Sequence, residues 1–151
     1  MFAGKKGLIL QPIDEEEEAS DGRITVLVID DEPDVLTMLE LGLTGMGYQV
    51  EVADSGHEAI RRLHERHFDL ALADLRMPGL DGIATTQRLK AIDPDIDVLI
   101  ATAYVSDETR DACLQSGASD FISKPFTLNA LQAFLDRVVA RRRARRDDGH
   151  G

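Results

Sequence analysis

Cysteine is nearly absent from this chain. Cys113 stands alone, so no intrachain disulfide can form, and a reducing compartment is compatible with that. With no partner His or Asn recognisable around it, the thiol reads as a small buried apolar filler rather than a nucleophile. Long apolar runs are also missing. Near the N-terminus Lys5 and Lys6 precede only Leu8, Ile9 and Leu10 before Gln11 and Pro12, too short for a signal peptide or a membrane span. A cytoplasmic location without a membrane span is the expectation. No glycine-rich nucleotide loop and no internal repeat appears. Positive charge is scarce: 17 Lys and Arg face 28 Asp and Glu, a formal net charge of -11. That balance argues against a broad nucleic-acid surface, because phosphate backbones attract Lys and Arg, and it favours a basic partner or a cation.

What is present fits one domain with short tails. The chain has 151 residues, and an apolar fraction of 43% can supply one core. Residues 1–23 carry the acidic run Asp14 to Glu18 and read as a flexible acidic leader, with the fold starting at Ile24. From there short apolar runs alternate five times with longer amphipathic stretches, the pattern of a parallel sheet covered on both faces by helices. The strands are predicted over Ile24 to Ile29, Tyr48 to Ala53, Phe68 to Ala73, Val98 to Ala101 and Asp120 to Ser123. Pro33, the capping box Ser55-Gly56-His57-Glu58, Asp81, Ser106 and Thr127 mark helix starts, while Gly47 and Gly117 mark helix ends. Leu128, Leu131, Phe134, Leu135, Val138 and Val139 give the last helix its core face.

Five chemically competent residues fall at strand ends, where open parallel sheets hold their ligands. Asp30 and Asp31 follow the first strand, Asp74 the third, Thr102 the fourth and Lys124 the fifth, although 94 residues separate Asp30 from Lys124. Crowded carboxylates repel one another unless a cation joins them, and Mg²⁺, a hard ion that takes oxygen ligands, is the natural occupant. A carboxylate nucleophile, a metal, a lysine and a hydroxyl together make a phosphoryl-accepting site. An isolated Asp-Asp pair would ordinarily be a turn or a cap, and an isolated Lys124 a surface charge; their joint placement is what carries the reading.

The stretches Val28-Ile29-Asp30-Asp31-Glu32-Pro33, Asp74-Leu75-Arg76-Met77-Pro78-Gly79-Leu80-Asp81-Gly82, Ala101-Thr102-Ala103 and Phe121-Ile122-Ser123-Lys124-Pro125-Phe126 resemble the receiver domain of two-component response regulators, over about residues 24–140. The resemblance implies an α/β, flavodoxin-like, doubly wound sheet of five parallel strands in the order 2-1-3-4-5 with five helices. It implies Asp74 as phosphoacceptor, served by Lys124 and Thr102, with a histidine kinase or a histidine phosphotransfer protein as donor. Metal ligation would come from Asp31 and Asp74 directly, from Asp30 through water and from the backbone carbonyl of Arg76. A cis Lys124-Pro125 peptide is also implied. Thr102 and Phe121 would form the switch, altering a surface made by the fourth helix, fifth strand and fifth helix, with phosphorylation-dependent homodimerisation as one outcome. Arg76 and Tyr104, at positions that vary among similar proteins, would flank the path of water to the acyl phosphate and set its lifetime.

Residues 141–151 read as a basic C-terminal tail, containing Arg141, Arg142, Arg143, Arg145 and Arg146, that extends the last helix as a solvated end. About a dozen residues following the fold suggest a single-domain regulator acting by protein contact, with an unidentified downstream protein, or alternatively a phosphoryl shuttle to a histidine phosphotransfer protein. A Mg²⁺-dependent phosphatase with an aspartyl-phosphate intermediate is the alternative of another class. Enzymes of that kind need an acid two residues after the nucleophile, where Arg76 stands. A flavin module would need a neutral phosphate loop after the first strand, where Asp30, Asp31 and Glu32 would repel phosphate. His57, His64, His67 and His150 are scattered on helices and a tail and read as surface residues.

Overall fold

The structure, a computed structural model, describes residues 22–150, with side chains through Arg146; the acidic run of the leader lies outside the described residues. Five strands alternate with five helices: β1 (Thr25–Ile29), α1 (Pro33–Gly45), β2 (Gln49–Ala53), α2 (Gly56–Glu65), β3 (Leu70–Asp74), α3 (Gly82–Ile92), β4 (Asp97–Thr102), α4 (Asp107–Gln115), β5 (Asp120–Ser123) and α5 (Leu128–His150). The strands form one sheet in the order β2-β1-β3-β4-β5, every pair parallel, as the resemblance implies.

Local chemistry sets the helix starts. Pro33 occupies the first turn of α1, where its missing N–H would have had no partner. Ser55 Oγ accepts from Glu58 N, Asp81 Oδ1 from Ala84 N, Ser106 Oγ from Thr109 N and Thr127 Oγ1 from Ala130 N, all at 2.8 to 3.1 Å. These caps answer the amide groups that a helix N-terminus leaves unpaired. After α1 and α4 the backbone turns through the left-handed region at Gly47 (φ 98°) and Gly117 (φ 106°), where a side chain would be strained.

Alternation along each strand divides the core into two layers. Leu27, Ile29, Ala71, Ala73, Val98 and Ile100 face α2, α3 and α4, where they meet Ala59, Leu63, Leu89 and Cys113. Val26, Val28, Leu70, Leu72, Leu99 and Ala101 face α1 and α5 and meet Leu36, Leu39, Leu43, Leu131, Leu135, Val138 and Val139. Cys113 is fully buried, and burial pushes its thiol pKa up, as suits a filler rather than a nucleophile. Among the described residues no helix is long and apolar enough to cross a membrane.

Helix α3 starts against the end of β3. Gly82 N donates to Leu75 O at 2.8 Å, and a Cβ on Gly82 would lie 2.6 Å from Asp74 O and 2.8 Å from Leu75 Cα. The obstructing atoms are backbone, so only glycine allows the helix to sit flush on that strand end.

The opposite rim of the sheet departs from the sequence reading. Helix α5 continues past residue 140, and Arg142, expected on a solvated end, is only 8% exposed. It follows Leu135, Val138 and Val139 on the buried stripe, so it is carried underneath the sheet. There its guanidinium donates to Asp97 Oδ2 at 2.8 Å, Asp95 O at 2.7 Å and Asp69 Oδ1 at 3.3 Å. Asp69 also accepts from the N–H and hydroxyl of Thr25, and Asp97 from Ser119 and Arg145. Burial opposes ionisation of both carboxylates, but these hydrogen bonds and the arginine charge outweigh it and hold both pKa values below the ordinary aspartate value of 3.8.

Carboxylates with lowered folded-state pKa values stabilise the fold above the ordinary aspartate value, and this contribution is lost as pH falls through the lowered values. Replacing Arg142 by Leu strands two buried carboxylates, although Arg145 stays near Asp97. The expected cost is about 3 kcal/mol near pH 7, shrinking below about pH 4 as the aspartates take up protons. Urea unfolding of parent and variant across pH measures it; an equal gap at all pH values would show that the charges are not the cause.

Candidate functional site

The strand ends on the rim beside the β3–α3 loop bring the sequence-predicted carboxylates and ammonium together. In register, Ile29 lies opposite Ala73, Asp74 opposite Ala101, and Thr102 opposite Ser123, so the residues that leave β1, β3, β4 and β5 share one edge. Asp30 N donates to Ala53 O, and Asp30 Oδ1 accepts from Glu32 N at 3.0 Å, which turns the chain into α1 and fixes the carboxylate. Asp30 is 3% exposed, Asp74 is partly covered, and Asp31 is exposed. One oxygen from each of the three carboxylates lies within 4.8 Å of the others, a cluster that could hold a metal ion.

Lys124 enters from the end of β5. Its backbone N–H donates to Thr102 O at 2.8 Å, and the following peptide to Pro125 is cis, as implied by the resemblance. Lys124 Nζ donates to Asp74 Oδ1 at 2.8 Å and stands 3.7 Å from Asp30 Oδ2. Burial works against the ammonium, but the hydrogen bond to Asp74 and the charges of Asp74, Asp30 and Glu32 outweigh it and raise the Lys124 pKa. Burial, together with the charges of Asp74 and Asp31, raises the Asp30 pKa over the opposing pull of the Glu32 N–H and Lys124. One ammonium against three carboxylates leaves the pocket short of positive charge, and hard oxygen donors of this kind suit a small divalent cation.

Thr102 is 2% exposed at the end of β4, and its hydroxyl is engaged locally. It accepts from Tyr104 N at 3.0 Å and donates to Tyr104 O at 3.2 Å. Sequence reasoning missed this engagement, since a threonine at a strand end carries no sign of its rotamer. Tyr104 is 60% exposed, and the Arg76 guanidinium stacks over its ring at 4.4 Å. Phe121 lies opposite Ile100 on β5, half-buried, packed against the layer that contains α2, α3 and α4. Asp81 caps α3, its expected structural role. Gly82 permits the contact that seats Asp74, a role sequence reasoning missed, and its place next to a helix cap was the available signal. His57, His64 and His67 are exposed, and His67 meets Asp69 and Asp93 on the other rim.

Comparison with known proteins agrees with this geometry. Residues 26–136 match the response regulator receiver domain. The transcriptional regulatory protein ZraR of Salmonella typhimurium is 43% identical over 122 residues, which is 81% of this chain and 28% of that protein. The transcriptional regulatory protein PrrA of Mycobacterium tuberculosis is 41% identical over 117 residues, 78% of this chain and 50% of that protein. The chain thus spans half or less of these relatives. Among solved structures, chemotaxis protein CheY4 of Vibrio cholerae superposes with a TM-score of 0.74 at 28% identity, covering 78% of this chain and 99% of that one. With the five-stranded order, the clustered aspartates and the lysine on the same rim, these matches place the chain in the response regulator receiver domain family of two-component signalling.

Proposed function

We propose that the domain accepts a phosphoryl group on a carboxylate oxygen of Asp74 from a histidine kinase or a histidine phosphotransfer protein, and passes the change to the surface of α4, β5 and α5. The observation that carries this reading is the Asp74 carboxylate held 2.8 Å from Lys124 beside Asp30 and Asp31. In the transfer an oxygen of Asp74 forms a bond to phosphorus while the bond from phosphorus to the donor imidazole nitrogen breaks. Lys124 already holds Asp74 Oδ1, which orients the carboxylate and leaves its other oxygen for attack. The ammonium then neutralises a phosphoryl oxygen as charge spreads in the transition state.

Asp31 and Asp74 would ligate Mg²⁺, with Asp30 contributing through water and the Arg76 carbonyl adding a donor; the bound ion supplies charge neutralisation for the phosphoryl oxygens. The oxygen-only side-chain set and its excess negative charge support that fit.

Thr102 supplies the switch. Its hydroxyl proton now points to Tyr104 O, and a phosphoryl oxygen on Asp74 is the stronger acceptor, so the hydroxyl turns toward it. The space released beside β5 admits the Phe121 ring, which alters the α4–β5–α5 face. Moving that equilibrium from about 1% to about 99% active takes roughly 5.5 kcal/mol of preference for the active arrangement. Contact with a downstream protein or a second copy of the domain reads out the changed face in the cytoplasm. Relay onward to a histidine phosphotransfer protein uses the same chemistry in reverse. A phosphatase is disfavoured because an arginine, Arg76, stands where a general acid would be needed, and it stacks on Tyr104.

Incubation with Mg²⁺ and acetyl phosphate, followed by intact-protein mass spectrometry, is expected to add one phosphoryl group to the parent and none to Asp74→Ala. Equal labelling of the variant would refute Asp74 as acceptor. The Arg76–Tyr104 stack shields the acyl phosphate from water, so an Arg76→Ala, Tyr104→Ala double variant is expected to lose its label several-fold faster. An unchanged lifetime would remove the shielding role.

A further inference from the structure

Acidic and basic residues are segregated along this chain. Five consecutive acids run from Asp14 to Glu18, and five arginines fall within residues 141–146. Arg142 is neutralised inside, against Asp69 and Asp97. Arg141, Arg143 and Arg145 remain exposed on the last described turns of α5, although Arg145 keeps one nitrogen 2.9 Å from Asp97 with 59% of its side chain accessible. Arg143 lies on the side of Tyr48, whose phenol, raised by burial and by Asp136, feels the opposing charge of that arginine. This basic end sits on a protein with a net charge of -11, which leaves it locally out of keeping with the whole.

The described chain begins its sheet beside these arginines. The chain enters β1 at Thr25, whose N–H and hydroxyl donate to Asp69 Oδ2 at 3.0 and 3.1 Å. The other oxygen of that carboxylate accepts from Arg142 at 3.3 Å. A single carboxylate therefore separates the start of the sheet from the arginine turns of α5. Glu18 precedes Thr25 by seven residues, and at roughly 3.3–3.6 Å per extended residue it has up to about 25 Å of reach. One helical turn advances only about 5.4 Å, so a tether of that length exceeds the span of the arginine turns.

We propose that the acidic run Asp14–Glu18 lies across Arg141, Arg143 and Arg145 and is the intramolecular partner of that face. Single exposed ion pairs are weak and screened by salt, but a short tether raises the effective concentration to the order of millimolar, and several carboxylates engage several guanidinium groups together. The contact is independent of the phosphoryl chemistry, on the other rim of the sheet.

The full chain is compared with a full-length variant carrying Glu15→Gln, Glu16→Gln, Glu17→Gln and Glu18→Gln, by nitrogen-15 NMR of the backbone amides and arginine Nε–H groups. At low salt the signals of residues 141–146 are expected to differ between the two proteins, and the difference is expected to vanish at high salt and in an Arg141→Gln, Arg143→Gln, Arg145→Gln background. Superimposable signals at low salt would overturn the proposal. A difference that appears only as protein concentration rises would assign the arginines to the acidic run of a second copy and overturn it likewise. Fluorescence anisotropy with a labelled DNA duplex separates the remaining occupant: several-fold tighter binding by the glutamine variant supports a tethered acidic cover, whereas equally tight binding by the parent would make the face an open nucleic-acid surface.

Discussion

Three carboxylates gathered around one ammonium at a sheet edge are the constraint on which the remaining features of the domain rest. Asp30 is almost fully buried beside Asp74, with Asp31 at the mouth, and Lys124 answers only part of their charge. In water such groups would separate; here the end of β1 fixes Asp30 and Asp31, the end of β3 fixes Asp74 and the end of β5 fixes Lys124. Burial, with the neighbouring carboxylates, raises the Asp30 pKa, and the hydrogen bond to Asp74 with the surrounding negative charge raises that of Lys124, so the pocket is left short of positive charge. A site of this kind favours whatever brings a cation.

Parallel pairing is what makes that assembly cheap in sequence terms. Each strand has to be in register, and each crossover has to return the chain to the same starting edge, for the C-terminal ends to converge. The packing of Gly82 on the Asp74 backbone shows how close the tolerance is: one added carbon would have to displace main chain rather than a flexible side chain. The exposed Arg76–Tyr104 stack joins the loops that follow β3 and β4, where the Thr102 hydroxyl is engaged locally.

The two rims of the sheet use similar charges to opposite effect. Asp69 and Asp97 are buried, as Asp30 is, yet their hydrogen bonds to Thr25, Ser119, Arg142 and Arg145 leave both carboxylates with lowered pKa values. A hydrogen-bonded ionic cluster fastens α5 under the sheet, while the carboxylates of the other rim are only partly compensated.

Alternation of apolar runs, helix caps and strand-end acids was legible in the linear chain, because caps and amphipathic periodicity are local and follow from residue type at short spacing. Ser55, Asp81, Ser106 and Thr127 could be read as caps for that reason, and Asp30, Asp74 and Lys124 as strand-end groups. Strand boundaries shifted by a residue or two, as at Phe68 and Asp69, where pairing rather than propensity decides. The fate of Arg142 was settled only by tertiary structure. Its partners lie 45 and 73 residues away, and within a run of arginines its charge masked the fact that its spacing from Val138 and Val139 continues the buried stripe. The same holds for Thr102, whose hydroxyl direction depends on the turn that follows it. Sequence determined which chemistry the chain could bring to its strand ends; three-dimensional packing determined which charges were left unmet, because burial and partners at long range decide whether a charge is neutralised or held in readiness.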